Sequence, residues 1–341
     1  MNKLPYIGKG SNGEVSVSDR SANAHILISG LTGCGKSVRM DEIEKAYVNA
    51  GGTVICLDLE GNHYYSDDDV YNFIEVLTDG MGINLINKDY NSALKKQLTI
   101  ESVVDVLSSG QRFGVRQRGA LREAVTWAID NVHEGISDIE CIKQGLLIQE
   151  KNRYASVVYE RLYSILMVDY FTSKGNRVKS NKLNVVSFKG IPSGVKMLLV
   201  ELYLADLWRN QKSEENREMI MVSLDEFQNL PLSKDSLLSE LLVEARKYNL
   251  NLMLATQTLS RFDKVQLALL NQAGVKLFFQ TAGTDCPMIA KLVEPNQEKY
   301  WEPVLAKLKI GQAIAVGELE VEGGRRISRP IITRSAYKPE T

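Results

Sequence analysis

Short apolar runs that end in glycine or acidic residues alternate with segments of helical periodicity along much of this chain. The run "AHILISG" (24–30) precedes a segment with helically spaced apolar positions, which ends at Gly51-Gly52, and "TVICLDLEG" (53–61) follows. A strand, a helix and a second strand with short connections predict a parallel βαβ unit. The stretch "GLTGCGKS" (30–37) then connects the first strand to the helix.

The middle of the chain has a different pattern, from about residue 61 to residue 180. Segments such as "GALREAVTWAIDNV" and "ASVVYERLYSILMVDYF" show helical periodicity and little strand signal. This pattern predicts a mostly helical insertion.

Strand-like apolar runs return after the insertion, at 182–190, 218–226, 250–258 and 275–283. An amphipathic helix is predicted before the third of these runs, with Asn249 as its left-handed end. The segment "QAIAVGELEVEGGRRISRPIITR" predicts paired strands around a turn at Gly323-Gly324.

We therefore predict an α/β fold with three segments along the chain. Residues 1–60 begin the core and contain the glycine-rich loop, residues 61–180 form the helical insertion, and residues 181–341 complete the core and add C-terminal strands.

The composition of the 341 residues is ordinary for a globular protein, with 44% hydrophobic and 24% charged residues. A net charge of −1 means that a polyanionic partner would have to be held by a local basic patch. The first residues lack the apolar stretch of a signal peptide, and no uncharged run has the roughly 18 residues that a spanning helix needs. We expect a cytoplasmic protein without an integral membrane anchor.

The cysteines and histidines are scattered and show no metal-ligand spacing. They are Cys34, Cys56, Cys141, Cys286, His25, His63 and His133. We expect reduced, mostly buried thiols rather than a zinc site or disulfide bonds.

The loop "GLTGCGKS" fits the phosphate-binding pattern G-x-x-x-x-G-K-[ST]. Between a strand and a helix, the backbone N–H groups of such a loop form an anion site with the helix N-terminus. Lys36 would neutralise the β- and γ-phosphates, and the Ser37 hydroxyl would coordinate Mg²⁺. The predicted nucleotide-binding residues are Gly30, Thr32, Gly33, Cys34, Gly35, Lys36, Ser37 and Val38.

Cys34 lies where the loop contributes backbone N–H groups and has no paired histidine base. We expect it to be a small filler rather than a nucleophile, although the helix N-terminus and Lys36 are able to lower its pKa.

Acidic and amide side chains follow two of the later strands. Asp225-Glu226 ends the run "MVSLDE", which supplies one acid for the water shell of a metal ion and a second acid to orient water. Adjacent side chains of a strand point in opposite directions, so the two acids can act together only if the chain turns there. The alternative is that they are solvated acids at a strand end. Gln257 would sense the γ-phosphate or the attacking water, or else cap a loop. Glu60, after the second strand, competes with Glu226 for the base role.

Four segments together resemble the HerA/FtsK group of RecA-like motor ATPases, and most of all its HerA branch. They are "HILISGLTGCGKS", "VSLDEFQNL", "EARKYNLNLMLATQ" and "LKIGQAIAVG". The resemblance implies a RecA-like P-loop ATPase core with a central, mostly parallel sheet, and it implies ATP and Mg²⁺ as ligands. The Arg-Lys-Tyr helix end before a strand ending in Ala-Thr-Gln is its most discriminating part.

Carried over position by position, the resemblance implies that Asp225 holds the metal, Glu226 activates water and Gln257 is a sensor. Arg246 in "EARKYN" would reach the nucleotide of a neighbouring subunit, where a guanidinium suits the charge on the transferring phosphoryl group. The alternative is an ordinary helix-end arginine that interacts with the helix dipole.

The resemblance further implies a hexamer that translocates duplex DNA. HerA proteins usually have an N-terminal β-barrel, whereas about 23 residues precede "HILISG" here, so we expect ring assembly to rely on the motor domain or on a partner. The basic segment "QRFGVRQRGALR" would contact DNA phosphates, or form ion pairs at the surface or between subunits. Its arginines are Arg112, Arg116, Arg118 and Arg122.

Two other functions remain open at this point. One is an ATP-dependent scaffold or switch for a protein partner such as a nuclease or defence effector. The other is a peripheral motor of a conjugation or type IV secretion system.

Overall fold

The chain is described from a computed structural model. It describes residues 6–18, 21, 23–63, 69–83, 85–86, 92–108, 111, 113–131, 136–172, 174–213, 218–234, 236–322, 324–327 and 329–336.

Strands and helices alternate through most of these residues. The strands β1 to β13 are Tyr6–Gly10, Gly13–Val17, Ile26–Ser29, Thr53–Asp58, Tyr71–Glu75, Leu183–Ser187, Ile220–Leu224, Leu250–Thr256, Val275–Phe278, Gln312–Gly317, Leu319–Val321, Arg325–Ile327 and Ile331–Arg334. The helices α1 to α11 are Lys36–Asn49, Val76–Asp79, Ala93–Ser108, Val115–Asp130, Asp138–Leu147, Arg153–Met167, Ser193–Ser213, Leu237–Glu244, Lys264–Leu270, Cys286–Val293 and Glu298–Ala306.

The strands form one sheet in the order β12-β11-β2-β1-β13-β10-β9-β3-β8-β7-β4-β6-β5. The block β9-β3-β8-β7-β4 is parallel throughout, whereas the strands from β12 to β10 pair antiparallel. The α/β fold with a parallel central block is therefore confirmed. Strand β8 lies between β3 and β7, so the predicted phosphate-loop strand and the predicted acidic strand are not neighbours.

Three strands were not predicted from the sequence. Strands β1 and β2 form an N-terminal hairpin that pairs with β13 and β11 from the other end of the chain. Strand β5 lies at residues 71–75, inside the segment predicted to be mostly helical. The other strands and the helix before Asn249 were predicted; β11 pairs with β12 as expected, and Gly323 of the predicted turn lies outside the described residues.

The chain divides into two compact units. The first contains Met1–Phe73, Lys179–Val185 and Gln211–Thr341, and the second contains Ile74–Val178 and Val186–Asn210. In the second unit helices α4 and α5 approach closely, since a Cβ at Gly145 would lie 2.4 Å from the carbonyl oxygen of Ala124. The division at residues 60 and 180 stays a prediction. Among the described residues, every helix is too short or too polar to cross a bilayer.

Arg39 connects helix α1 to the antiparallel strands of the first unit. Its side chain is fully buried and its guanidinium donates hydrogen bonds to the carbonyl oxygen of Ile7 at 2.7 Å, to the hydroxyl of Thr333 at 3.0 Å and to the carbonyl oxygen of Gly311 at 2.9 Å. The same group lies 3.3 Å from Glu42. These contacts hold the buried charge beside an acidic partner, and they fix the helix that follows the glycine-rich loop.

We expect Arg39→Met to lower the free energy of unfolding by about 3–5 kcal/mol, because it removes the donor to Ile7 and Thr333 and the positive charge beside Glu42. Urea denaturation measures the change. Arg326→Ala is the matched control, since Arg326 is exposed on β12 and its loss should cost less than about 0.5 kcal/mol. An Arg39→Met protein as stable as the control would contradict the prediction.

Candidate nucleotide-binding site

The glycine-rich loop connects β3 to α1, as the sequence predicts. Two of its glycines are required by space and backbone conformation. A Cβ at Gly30 would lie 2.5 Å from the Cβ of Phe279, and one at Gly35 would lie 3.0 Å from the backbone nitrogen of Gly311. Gly35 also has φ 100°, in the left-handed region that glycine adopts without strain.

The loop has the donors that a phosphate group needs. Helix α1 begins at Lys36 without a side-chain cap, and the first N–H groups of a helix have no partner within it. The Lys36 ammonium points back into the loop, where it donates to the carbonyl oxygens of Gly30 at 2.9 Å and Leu31 at 3.1 Å. Oriented N–H groups and a buried ammonium fit a polyphosphate.

Ser37 and Asp225 provide oxygen ligands that fit Mg²⁺. The Ser37 hydroxyl donates to the Asp225 carboxylate at 3.3 Å, although 188 residues separate them in sequence. Burial raises the pKa of Asp225; the N–H of Glu226 and the charge of Lys36 oppose that shift, and the charge of Glu226 adds to it. A hydroxyl beside a carboxylate is a typical protein contribution to a magnesium site.

The chain turns at Glu226, which is what the acid pair requires in order to act together. Glu226 has φ 54°, a left-handed conformation that is uncommon for a residue with a side chain. Its carboxylate accepts a hydrogen bond from the Gln257 amide at 2.8 Å and another from the Gln228 amide. Two amides therefore hold the Glu226 carboxylate in one orientation.

The strand order explains how these residues meet. Gln257 follows β8, which lies between the strand of the glycine-rich loop and the strand of the acids. The carboxyl ends of parallel strands share one edge of the sheet, where open α/β sheets bind their ligands. Lys36, Ser37, Asp225, Glu226 and Gln257 are accordingly gathered at this edge. Gln228 was not predicted; its only signal is its position two residues after Glu226.

The acids at the end of β4 and after it differ in their contacts. Asp58 accepts hydrogen bonds from the backbone N–H groups of Gly61, Asn62 and His63, at 2.9 Å, 3.2 Å and 3.1 Å, so its carboxylate holds its own loop. Glu60 is exposed in that loop. The base role of Glu60 therefore stays open, whereas Asp58 has a local structural role.

Arg246 lies apart from the other predicted residues. It is exposed in a short 3-10 helix, Ala245–Tyr248, before β8, while Gln257 follows the same strand. Asn249, at the end of this helix, has φ 56°, which confirms its predicted left-handed conformation.

Three arginines of the predicted basic segment are engaged within the second unit. Arg122 makes a two-pronged contact with Glu101 at 2.6 Å and 2.9 Å, and Arg118 pairs with Asp105. Arg116 donates to the hydroxyl of Tyr154 at 2.6 Å. Arg112 lies outside the described residues. The sequence left open whether the four arginines of this segment contact DNA or form ion pairs. Ion pairs are observed for two of these arginines, Arg118 and Arg122.

Cys34 is 3% exposed, and burial raises the pKa of its thiol more than Lys36 lowers it. Lys36 therefore does lower this pKa, as it is able to do, but the net shift is upward because removal from water penalises the thiolate more. Cys34 also contributes its carbonyl oxygen, which accepts the Gly311 N–H at 2.9 Å.

We expect Cys34→Ala to retain ATP hydrolysis, because the loop uses the backbone of this residue. Gly35→Ala is the matched loop variant; its strain of about 1–3 kcal/mol should weaken ATP binding roughly tenfold or more. Phosphate release and ATP titration measure both effects. A folded Cys34→Ala protein that binds ATP without hydrolysing it would contradict this assignment.

This chain is similar to known proteins in sequence and in architecture. It is 22% identical over 352 aligned positions to the DNA double-strand break repair helicase HerA of Sulfolobus acidocaldarius; the alignment covers 92% of this chain but spans only 66% of that relative. Its fold is similar to that of VirB4 of Thermoanaerobacter pseudethanolicus, with a TM-score of 0.72, 16% identity, and 99% and 98% of the two chains covered.

The fold is also similar to that of the plasmid coupling protein TrwB in complex with ADP and Mg²⁺, with a TM-score of 0.63, 16% identity, and 94% and 88% of the two chains covered. These similarities confirm the RecA-like P-loop ATPase fold. Residues 6–207 match the family described as helicase HerA, central domain, and this chain therefore belongs to the HerA central-domain family.

Proposed function

We propose that this protein is an ATP-hydrolysing, Mg²⁺-dependent motor that assembles into a ring, expected to be a hexamer, and moves or remodels duplex DNA. The observation that carries the proposal is the meeting of the glycine-rich loop, the acid pair and Gln257 at one edge of the parallel block. The family and the helicase HerA relative support the DNA substrate. The cytoplasmic location stays a prediction.

Each residue of the site has a distinct task in this proposal. The loop N–H groups and Lys36 hold the β- and γ-phosphates, while Ser37 and Asp225 hold the metal. A bound Mg²⁺ ion would supply positive charge to neutralise the phosphate oxygens. Glu226 orients water and accepts its proton, and Gln257, hydrogen-bonded to Glu226, couples that carboxylate to the end of β8.

The neighbours support nucleotide and metal as ligands, since TrwB is in complex with ADP and Mg²⁺. A peripheral motor of conjugation or secretion is a second candidate, favoured by the similarity in fold to VirB4 and TrwB.

A scaffold or switch for a protein partner, such as a nuclease or defence effector, is a third candidate. The ion pairs of Arg118 and Arg122 favour this third candidate. Both arginines would contact DNA phosphates in a translocase, but here each is paired with a carboxylate of the same chain.

The deciding experiment measures molecular mass and ATPase rate with and without duplex DNA, at low and at physiological salt. We expect DNA to stimulate hydrolysis, and the stimulation to weaken as salt rises, because phosphate contacts depend on counterion release. An ATPase rate that DNA does not change at any salt concentration, but that a co-purified protein increases, would instead support the switch hypothesis.

A further inference from the structure

A buried group of three side chains lies in the first unit, away from the phosphate-binding residues. Glu44 is on α1, Cys56 is in the middle of β4, and His63 follows β4 in the loop. One carboxylate oxygen, the thiol sulfur and one imidazole nitrogen all lie within 4.8 Å of one another. Glu44 is fully buried, Cys56 is 4% exposed, and the His63 side chain is 13% exposed.

Further contacts orient this group. The Glu44 carboxylate lies 2.9 Å from Nε2 of His63 and accepts a hydrogen bond from the hydroxyl of Ser223 on β7. Asp58 fixes the loop by accepting from three consecutive backbone N–H groups, the last of which belongs to His63. Outer partners of this kind are what hold metal ligands in place.

We propose that Glu44, Cys56 and His63 bind one Zn²⁺ ion, with a water molecule as the expected fourth ligand. Sulfur, nitrogen and oxygen donors from three side chains form a ligand set that suits zinc, whereas Mg²⁺ prefers oxygen ligands alone. The thiol gives up its proton on binding, so a thiolate, a carboxylate and a neutral imidazole surround the dication. A cysteine nucleophile is a poorer assignment, because Cys56 lies inside a central strand without access for a substrate.

Sequence spacing gave no indication of this site, because the ligands come from a helix, a strand and a loop. Their positions at 44, 56 and 63 match no short zinc-binding pattern. The fold alone brings them together, so the expectation of no zinc site, drawn from spacing, does not extend to the folded chain.

The position of the ion gives it a structural effect on the nucleotide site. Glu44 lies on the helix that begins with Lys36 and Ser37, and Ser223 precedes Asp225 by two residues on β7. A zinc ion would therefore tie α1 to β4 directly and to β7 through Ser223. Zinc should raise the melting temperature of the protein, since a ligand that binds only the folded state stabilises it.

The test uses the full chain, stripped with a chelator and titrated with Zn²⁺ or Co²⁺. We expect one equivalent to bind and the cobalt form to show a thiolate-to-metal charge-transfer band. Cys56→Ser should lose the band, and His63→Gln should lose stoichiometric binding. Cys286→Ser is the control, because Cys286 is equally buried but lies outside the group, and it should bind like wild type.

Ser223→Ala should weaken zinc binding about 10–100-fold, because Ser223 orients a ligand without touching the ion. Lys36→Ala should bind zinc like wild type, which separates this site from the nucleotide site.

The wild-type chain decides the proposal even if the ligand variants do not fold. Failure to bind one equivalent, or a cobalt form without the sulfur band, overturns it. X-ray absorption of the zinc form that shows a sulfur ligand at about 2.3 Å supports it, and bound zinc with nitrogen and oxygen ligands alone overturns it.

Discussion

Glu226→Gln is expected to bind ATP and Mg²⁺ like wild type while hydrolysing ATP about 10²–10⁴-fold more slowly, the range associated with loss of a general base. An amide has the size of a carboxylate but does not accept a proton from water at neutral pH. Phosphate release measures the rate, and retention of labelled ATP after removal of free nucleotide measures the trapped complex.

The hydrogen bonds of Glu226 make this substitution conservative in structure. The carboxylate accepts from two amides, those of Gln257 and Gln228. A glutamine has one oxygen to accept one of these bonds, and its NH₂ group then faces the other amide. The amide oxygen of Gln228 is buried and makes no hydrogen bond within the described part of the chain, so rotation of that amide would provide an acceptor for the new NH₂ group. The variant should therefore keep its fold and its ligand affinity.

Glu60→Gln is the matched control, because Glu60 is the other acid that the sequence offers as a base. We expect it to hydrolyse ATP close to the wild-type rate. If Glu60→Gln abolishes hydrolysis and Glu226→Gln does not, the base role belongs to Glu60.

The central strands were predictable because of how they are buried. Every residue of β3, β7 and β8 is buried, so each strand is a largely apolar run in sequence with only one or two polar residues. The hairpin of β1 and β2 gave no such signal, because it is short, contains glycine and is partly exposed. Its partners lie near the other end of the chain, where local patterns give no information about pairing.

The residues of the candidate site also fall into those that were predictable from the sequence and those that were not. Lys36 and Ser37 belong to a contiguous motif, and Glu226 and Gln257 end apolar strands, so their positions were predictable. The contacts of Arg39 were not, because its acceptors come from residues 7, 311 and 333, and only the folded sheet brings them to α1. The sequence thus identified the side chains that lie in the motif or at strand ends, but it did not identify the buried contacts that hold helix α1 in place.

Arg246 is the predicted site residue whose proposed role depends on a second subunit. Arg246 precedes strand β8, and Gln257 follows that strand. The strand has seven residues, Leu250–Thr256. At roughly 3.3 Å per residue, it therefore separates Arg246 from Gln257 by a distance on the order of 20 Å. The Arg246 side chain therefore cannot reach the phosphate site of its own chain. If it contributes to hydrolysis, it does so at a neighbour's nucleotide, across a head-to-tail interface.

We expect Arg246→Ala to slow hydrolysis about 10³–10⁵-fold, the range for loss of an arginine finger, while ATP binding to each chain persists. Lys247→Ala, also exposed and adjacent in sequence, is the matched control and should remain active. A helix-end arginine that only interacts with the dipole would instead give a protein as active as the control.

Mixing variants separates action on a neighbour from action within one chain. Arg246→Ala subunits retain Lys36, and Lys36→Ala subunits retain Arg246, so we expect each variant alone to be inactive. In a random equal mixture, roughly one quarter of the interfaces combine an intact phosphate site with an intact neighbouring arginine, so about that fraction of wild-type hydrolysis should return. Mixed rings, verified by mass, that recover no activity would contradict a role in trans, because they contain the required pair of residues at those interfaces.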